Sequence, residues 1–412
     1  MKTEIIAVGT ELLLGDVTNT NAAYLSAEFA KLGFDVYRHA TVGDNLGRIR
    51  DALGEAFARA DLVVTTGGLG PTADDLTKDA AAEFFGLPME LHGDSLAAIE
   101  AFFARLGHRM PDSNRRQALF PQGARVLDNP DGTAPGCLLA LRGKTFVALP
   151  GPPREMRAMF ERHVRPHFLP EAKTVLVSRA MRFAGIGESA MEALVKDIIV
   201  RQENPTIAPY CTDRAGEVML RLSAKAPSEA LAREMIAPVE KSLAERLGEY
   251  LYGYDGDTLP AAVVGLLREK GLTLSAAESF TGGAFSAALV GVPGASEVFM
   301  ESYVTYSDES KVKLLGVSGA SLGHHGAVSK RVAEEMAAGA ARRSGAALAL
   351  GFTGVAGPGG GSEAKPVGLC YISLWRAGGC RTARHMLFGD RDRIRARAVA
   401  LGLDMARRAL LA

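Results

Sequence analysis

Cysteine is scarce in this chain and scattered. Its 412 residues include four, Cys137, Cys211, Cys370 and Cys380, and no two of them form a CxxC pair. That spacing argues against a disulfide framework and a cysteine zinc site, and it suits a reducing compartment. Long apolar runs are missing too. No stretch approaches the roughly 18 consecutive apolar residues of a spanning helix, so a helical membrane protein is not expected. The opening MKTEIIAVGTELLLG carries Glu4 and Glu11 and has no apolar run ending in a cleavage site, so it does not read as a secretory signal. Charge of one sign is not in excess, because 47 Lys and Arg face 47 Asp and Glu. Neither direct nucleic-acid binding nor adsorption to an anionic membrane is expected from that balance. Together these absences predict a cytoplasmic protein.

Glycine is plentiful, with 46 residues gathered in a few loops. The length exceeds the roughly 250–300 residues of a single core, which predicts two or three domains. Through 1–168, short apolar runs (EIIAV, FDVYRHATVG, DLVVTTGG, FVALPGPP) alternate with helical patterns in the twenties, at 48–59 and at 77–85. That alternation predicts βαβ units and a parallel sheet. From 169 to 252 the order is a strand-like run, the helix GIGESAMEALVKDII, a hairpin turning near 213–216, and a helix over 227–247. This reads as a small α+β domain, and GEYLYGYDGDTLP (248–260) reads as a linker. The remainder, 253–412, reads as a second α/β domain ending in a basic helix from about residue 392.

The sharpest constellation lies in this last domain. In Ala276-Ala277-Glu278-Ser279-Phe280-Thr281-Gly282-Gly283 a polar cluster stands between a strand and a helix, where α/β sheets bind ligands. Ser279 can present a nucleophilic hydroxyl there, and amides at Thr281, Gly282 and Gly283 can hold an anion or oxyanion. A helix cap followed by a tight turn fits the same eight residues. A serine needs a base. Tyr306 and Lys311, five residues apart, are the candidates, although a core tyrosine and a surface lysine fit them as well. Thr353, Gly354, Gly357, Gly359 and Gly360, with Lys365 beyond, form a loop whose backbone can approach a phosphate. Arg391 opens a basic approach to the last helix.

The first domain carries a second constellation. GTELLLG supplies Thr10 and Glu11, and Asn19 and Asn21 lie at the next helix start. TTGGLGPTADDLT supplies Gly67, Gly68, Gly70 and Thr72, then Asp74 and Asp75. Both loops follow parallel strands and can face one crevice. Two adjacent carboxylates suit a hard divalent cation, Mg, Mn or Co, although one of them could equally cap a helix.

These motifs carry a resemblance. AESFTGG, VTYSDESK, GAVS, TGVAGPGGG and KPVG, in that order, resemble the C-terminal domain of the competence/damage-inducible CinA family. TTGGLGPTADDLT, GTELLLG, PDGTAPG and ALPGPPREM resemble the family's molybdopterin-binding-like N-terminal domain, and the middle unit resembles its KH-like domain. The resemblance implies three parts: a molybdopterin-binding-like domain at 1–168, a KH-like α+β spacer at 169–252 and an amidase domain at 253–412. It implies a homodimer with two activities. One is hydrolysis of nicotinamide mononucleotide to nicotinate mononucleotide and ammonia, needing no cofactor, with Ser279, Tyr306 and Lys311 as the catalytic set. The other is metal-dependent hydrolysis of ADP-ribose in the N-terminal domain. Two alternatives stay open. The N-terminal crevice could be a non-catalytic pterin or nucleotide module, or the chain could be a non-enzymatic interaction protein of DNA uptake. Phe280 stands where the family commonly has cysteine, and GIGES lacks the basic GxxG loop of an RNA clamp.

Overall fold

The computed structural model describes residues 1–171, 173–212 and 214–412. The chain separates into two compact units, 1–177 with 225–233, and 178–224 with 234–412.

The first unit holds β1 (Lys2–Val8), β2 (Asp35–Val42), β3 (Leu62–Thr66), β4 (Met89–Leu91), β5 (Leu119–Pro121), β6 (Arg125–Leu127), β7 (Gly136–Leu141) and β8 (Lys144–Leu149). Its main sheet runs β2-β1-β3-β8-β7-β6. The first four strands are parallel, and β7 is antiparallel to its neighbours. Strand side chains alternate between faces, so a doubly covered sheet needs apolar residues at every position. EIIAV and LVV satisfy this. Ile5, Leu62 and Val64 pack on one side with Leu25, Phe29 and Phe160. Ile6 and Val63 pack on the other with Ile49, Leu53 and Phe57. Elements not legible in the sequence include the small β4–β5 ladder, the strands β6 and β7, the helices Gly93–Arg105 and Pro153–Met159, and one turn of helix, Thr10–Leu14, inside GTELLLG.

The second unit contains two sheets. β9 (Val175–Ala184), β10 (Thr206–Cys211), β11 (Glu217–Ala226) and β12 (Leu251–Tyr254) are ordered β10-β11-β9-β12. The helices Glu188–Val200 and Glu229–Leu247 complete this part. The expected linker is therefore partly a strand, with Leu251 and Tyr254 paired to Phe183 and Met181 of β9. Its Gly and Asp residues suggest a loop, but its tyrosines suit a half-buried strand, and an open sheet edge was there to receive them.

The other sheet comprises β13 (Leu274–Glu278), β14 (Phe299–Val304), β15 (Leu348–Gly354), β16 (Leu369–Arg376) and β17 (Gly379–Met386), in the order β14-β13-β15-β16-β17. β13 runs parallel to β14 and β15, while β16 and β17 return antiparallel. One face carries Leu274, Leu350 and Phe352 against the helices Leu259–Lys270 and Arg391–Leu411. The opposite face carries Ala277 and Ala349 against the helix Lys330–Ser344. That helix lies so close that a Cβ on Gly351 would fall 2.4 Å from the Ala333 carbonyl. Among the described residues, no helix is long and apolar enough to cross a membrane.

Arg407, only 1% exposed, locks the last helix in place. It donates to Asp404 Oδ1 at 2.7 Å, to the Glu249 carbonyl at 2.7 Å and to the Leu251 carbonyl at 3.2 Å. Removing one partner of a buried pair strands the other charge. Asp404→Ala is therefore expected to lower unfolding stability by about 3–5 kcal/mol in denaturant titration. A loss below about 1 kcal/mol would show that the carbonyls alone satisfy the guanidinium.

Candidate functional site

Ser279 follows β13 directly, and the residue before it fixes the turn. Glu278 is fully buried. Its carboxylate accepts from the amides of Gly283 (3.0 Å), Phe285 (3.1 Å) and Ser286 (3.0 Å) and from the Ser286 hydroxyl (2.5 Å). Gly282 and Gly283 turn the chain back at φ of 60° and 91°, conformations that L side chains resist. The Ser279 amide donates to the Phe352 carbonyl at 3.0 Å, which anchors the nucleophile candidate to the end of β15.

Ser279, Tyr306, Lys311 and Arg391 line one cavity of about 260 Å³, with Thr353 and Gly354 from the end of β15 and Gly357, Gly359 and Gly360 from the following loop. Lys311 is buried, and its amine has three oxygens within reach. Nζ lies 3.1 Å from the Tyr306 carbonyl, 3.5 Å from the Ser307 carbonyl and 3.3 Å from Asp308 Oδ1. Arg391 bridges two walls, donating to the Gly357 carbonyl at 2.8 Å and to the Tyr306 hydroxyl at 3.4 Å. The Thr353 hydroxyl donates to the Ala327 carbonyl at 2.7 Å, tying in the GAVS segment.

Four expected residues stand outside this cavity. Thr281 is buried, and its carbonyl accepts from Arg395 at 2.8 Å. Gly282 and Gly283 shape the turn, and Lys365 Nζ donates to the His325 carbonyl at 2.5 Å. Of the amides expected to hold an oxyanion, that of Gly283 donates to Glu278 at 3.0 Å and that of Gly282 to the Ser279 carbonyl at 3.1 Å. Sequence reading missed Glu278 and Asp308 as working residues. Glu278 looked like part of a loop, and Asp308 like part of a helix start. Phe280, 5% exposed, packs in the apolar core and also lines the cavity.

The N-terminal crevice has a volume of about 390 Å³ and opens where β1, β3 and β8 end. Glu11, Gly67, Gly68, Gly70, Thr72, Asp74 and Asp75 line it, together with Asp44, Gln117 and Glu155, which the sequence did not single out. Asp75 Oδ2 accepts from the Thr72 amide at 2.9 Å and from its hydroxyl at 2.6 Å, and Asp74 Oδ1 also meets that hydroxyl. The Thr72 bond holds the Asp74 carboxyl below its ordinary pKa. Gly67 sits 2.1 Å, measured from a would-be Cβ, from the Val8 carbonyl, so only glycine allows the loop to lie there. Thr10, Asn19 and Asn21 play structural parts instead. Thr10 bonds Asp44 Oδ2 through its amide (2.7 Å) and hydroxyl (2.8 Å). Asn19 caps the helix Thr20–Lys31, and Asn21 joins Thr66 to the Gly151 carbonyl.

Among the described residues, no three His, Cys, Asp or Glu side chains converge as a ready-made metal cage. Two carboxylates beside a threonine hydroxyl are nevertheless a hard-oxygen donor set. Mg²⁺ commonly takes only one or two protein carboxylates and completes its shell with water and substrate phosphate. The residues present fit that mode.

Behind this crevice, Lys78 is buried, with Nζ 2.6 Å from the Gln117 carbonyl and 4.2 Å from the centre of the Phe120 ring. Burial lowers its pKa from 10.5 to about 8. Below pH 8 both folded and unfolded chains carry the proton, and the cost of burying the cation is fully present. Above pH 8 the unfolded chain binds more protons, so native stability rises until about pH 10.5. The stability of wild type relative to Lys78→Met is expected to rise by about 3 kcal/mol between pH 7 and 10.5. A difference independent of pH would contradict the buried-cation assignment.

Comparison with known proteins accords with this architecture. Residues 256–410 match the family profile "CinA C-terminal domain", residues 4–170 match "Probable molybdopterin binding domain", and residues 178–253 match "Damage-inducible protein CinA KH domain". A CinA-like protein of Kosmotoga olearia is 51% identical over 411 residues, covering 100% of this chain and 99% of that one. CinA-like proteins of Dictyoglomus turgidum and Dictyoglomus thermophilum are 49% and 48% identical, each covering 100% of both chains. The chain belongs to the CinA family.

Proposed function

We propose that the C-terminal domain hydrolyses the carboxamide of nicotinamide mononucleotide, with Ser279 as nucleophile. The observation that carries this reading is the meeting of Ser279, Tyr306, Lys311 and the glycine loop in one cavity. Ser279 Oγ attacks the carboxamide carbon while its proton passes to the amine of Lys311, which Tyr306 flanks. The C–N bond then breaks, and the lysine returns the proton to the departing nitrogen, which leaves as ammonia. Water attacks the resulting ester and gives a proton to the same amine. Ser279 recovers its proton as nicotinate mononucleotide leaves. Arg391 and the amides of the Gly357–Gly360 loop receive the phosphate. Ser279→Ala is expected to reduce ammonia release from the mononucleotide by at least about 10³-fold. Equal release by variant and wild type would exclude Ser279 as nucleophile.

A second reading concerns the N-terminal crevice, where two carboxylates converge on Thr72 between glycine turns. We propose metal-dependent cleavage of the ADP-ribose pyrophosphate there. A bound divalent cation would supply Lewis acidity and an activated water. Asp74 and Asp75 would hold the cation, and the glycine backbone at 67–70 leaves room for the phosphates. Asp75→Ala is expected to abolish metal-dependent AMP formation from ADP-ribose. Unchanged AMP formation would remove Asp75 from the mechanism, and its absence in wild type would favour a non-catalytic nucleotide- or pterin-binding module.

A further inference from the structure

The last helix, Arg391–Leu411, reaches the C-terminal site from two successive turns. Asp390 caps it by accepting from the Arg393 amide at 2.8 Å. Ile394, Ala398 and Leu403 seat it on the apolar core that holds Phe285 and Phe352. It passes so close that a Cβ on Gly402 would fall 2.4 Å from Cζ of Phe352. The buried Arg407–Asp404 pair fixes its far end. A helix held along its length in this way is a rigid support, and residues four apart on it share a face. Arg391 and Arg395 are such a pair.

Their guanidinium groups have different duties. Arg391 lines the cavity and meets the Gly357 carbonyl and the Tyr306 hydroxyl. Arg395 stands outside the cavity and donates twice to the Thr281 carbonyl, from Nη2 at 2.8 Å and from Nε at 3.3 Å. Its neighbour Asp392 is 92% exposed and 3.5 Å away, a surface pair that contributes little.

Thr281 lies two residues after Ser279, inside the turn that presents the nucleophile. The turn's own side chains do little to fix it. The Thr281 hydroxyl is buried and finds no hydrogen-bond partner among the described residues. Gly282 and Gly283 have the backbone freedom of glycine. One end of the turn is tied by the Ser279 amide to the Phe352 carbonyl, and the other by the Gly283 amide to Glu278. Between these ties, the double bond from Arg395 joins the turn to the last helix.

We infer that Arg395 is a positioning residue of the amidase. It pins the turn carrying Ser279 to the helical face that presents Arg391 to the substrate, so the nucleophile stands at a fixed distance from the seat of the phosphate. The inference rests on the reading of this cavity as an amidase site. A substrate anchored by its phosphate delivers its carboxamide to one place. A hydroxyl displaced from that place by about 1 Å loses on the order of 10²-fold in rate. Because Arg395 is outside the cavity, it acts on the rate through Ser279 and leaves the phosphate's contacts intact.

The test is steady-state conversion of nicotinamide mononucleotide by the full chain, with equilibrium binding of the product, nicotinate mononucleotide. Arg395→Ala is expected to lower kcat by about tenfold or more, while KM and the product Kd stay within about twofold. Guanidinium ion is expected to restore several-fold of the lost kcat to this variant, and sodium at equal ionic strength is not. Arg395→Lys, which keeps one charged donor, is expected to fall between wild type and Arg395→Ala, and it carries the test if the alanine variant misfolds. Loss of kcat and of product affinity together, without rescue, would make Arg395 a residue of the fold alone and overturn the inference. Kinetics equal to wild type in both variants would overturn it as well. If wild type itself releases no ammonia from the mononucleotide, the amidase reading falls first and this inference with it.

Discussion

Parallel strands cannot be joined by a tight hairpin, and this constraint governs both candidate sites. Each parallel neighbour is reached by a crossover that covers a face of the sheet. The loops that leave the strands then gather at their carboxyl ends. In the first unit this brings the loop after β1 beside those after β3 and β8. In the second it brings the ends of β13, β14 and β15 together. Residues far apart in sequence, such as Ser279, Lys311 and Thr353, share a cavity because their strands are neighbours in register.

Buried charge then refines what the topology supplies. A carboxylate removed from water is costly unless donors surround it, and Glu278 meets three amides and a hydroxyl. The clamp holds the turn that presents Ser279. It also engages the Gly283 amide, so in the proposed reading the phosphate is left to Arg391 and the glycine loop. Lys311 is treated similarly, with three oxygens around its amine.

The two sites are electrostatic opposites. Carboxylates dominate the N-terminal crevice, and in the proposed reading a phosphate enters it with a cation. The C-terminal cavity carries Lys311 and Arg391 against the single carboxylate of Asp308 and can attract an anionic nucleotide by itself. Under the proposed activities both substrates are pieces of one dinucleotide, and each unit meets its phosphates with a different device.

Much of this was legible in the sequence, because local pattern encodes local structure. Continuous apolar runs such as EIIAV marked doubly covered strands, and glycine clusters after strands marked the loops where ligands can bind. Features that depend on a distant partner stayed hidden. β12 is a strand because β9 offers it an edge, and Asn21 is structural because Gly151 and Thr66 come to meet it. Glu278 is a clamp because the chain reverses onto it five residues later. The sequence by itself therefore determined the α/β character, the strand-end loops and the side chains available for chemistry. Tertiary structure decided which of those side chains face a shared cavity and which are consumed in holding it open, since a hydrogen bond or a buried charge is settled by the geometry of both partners.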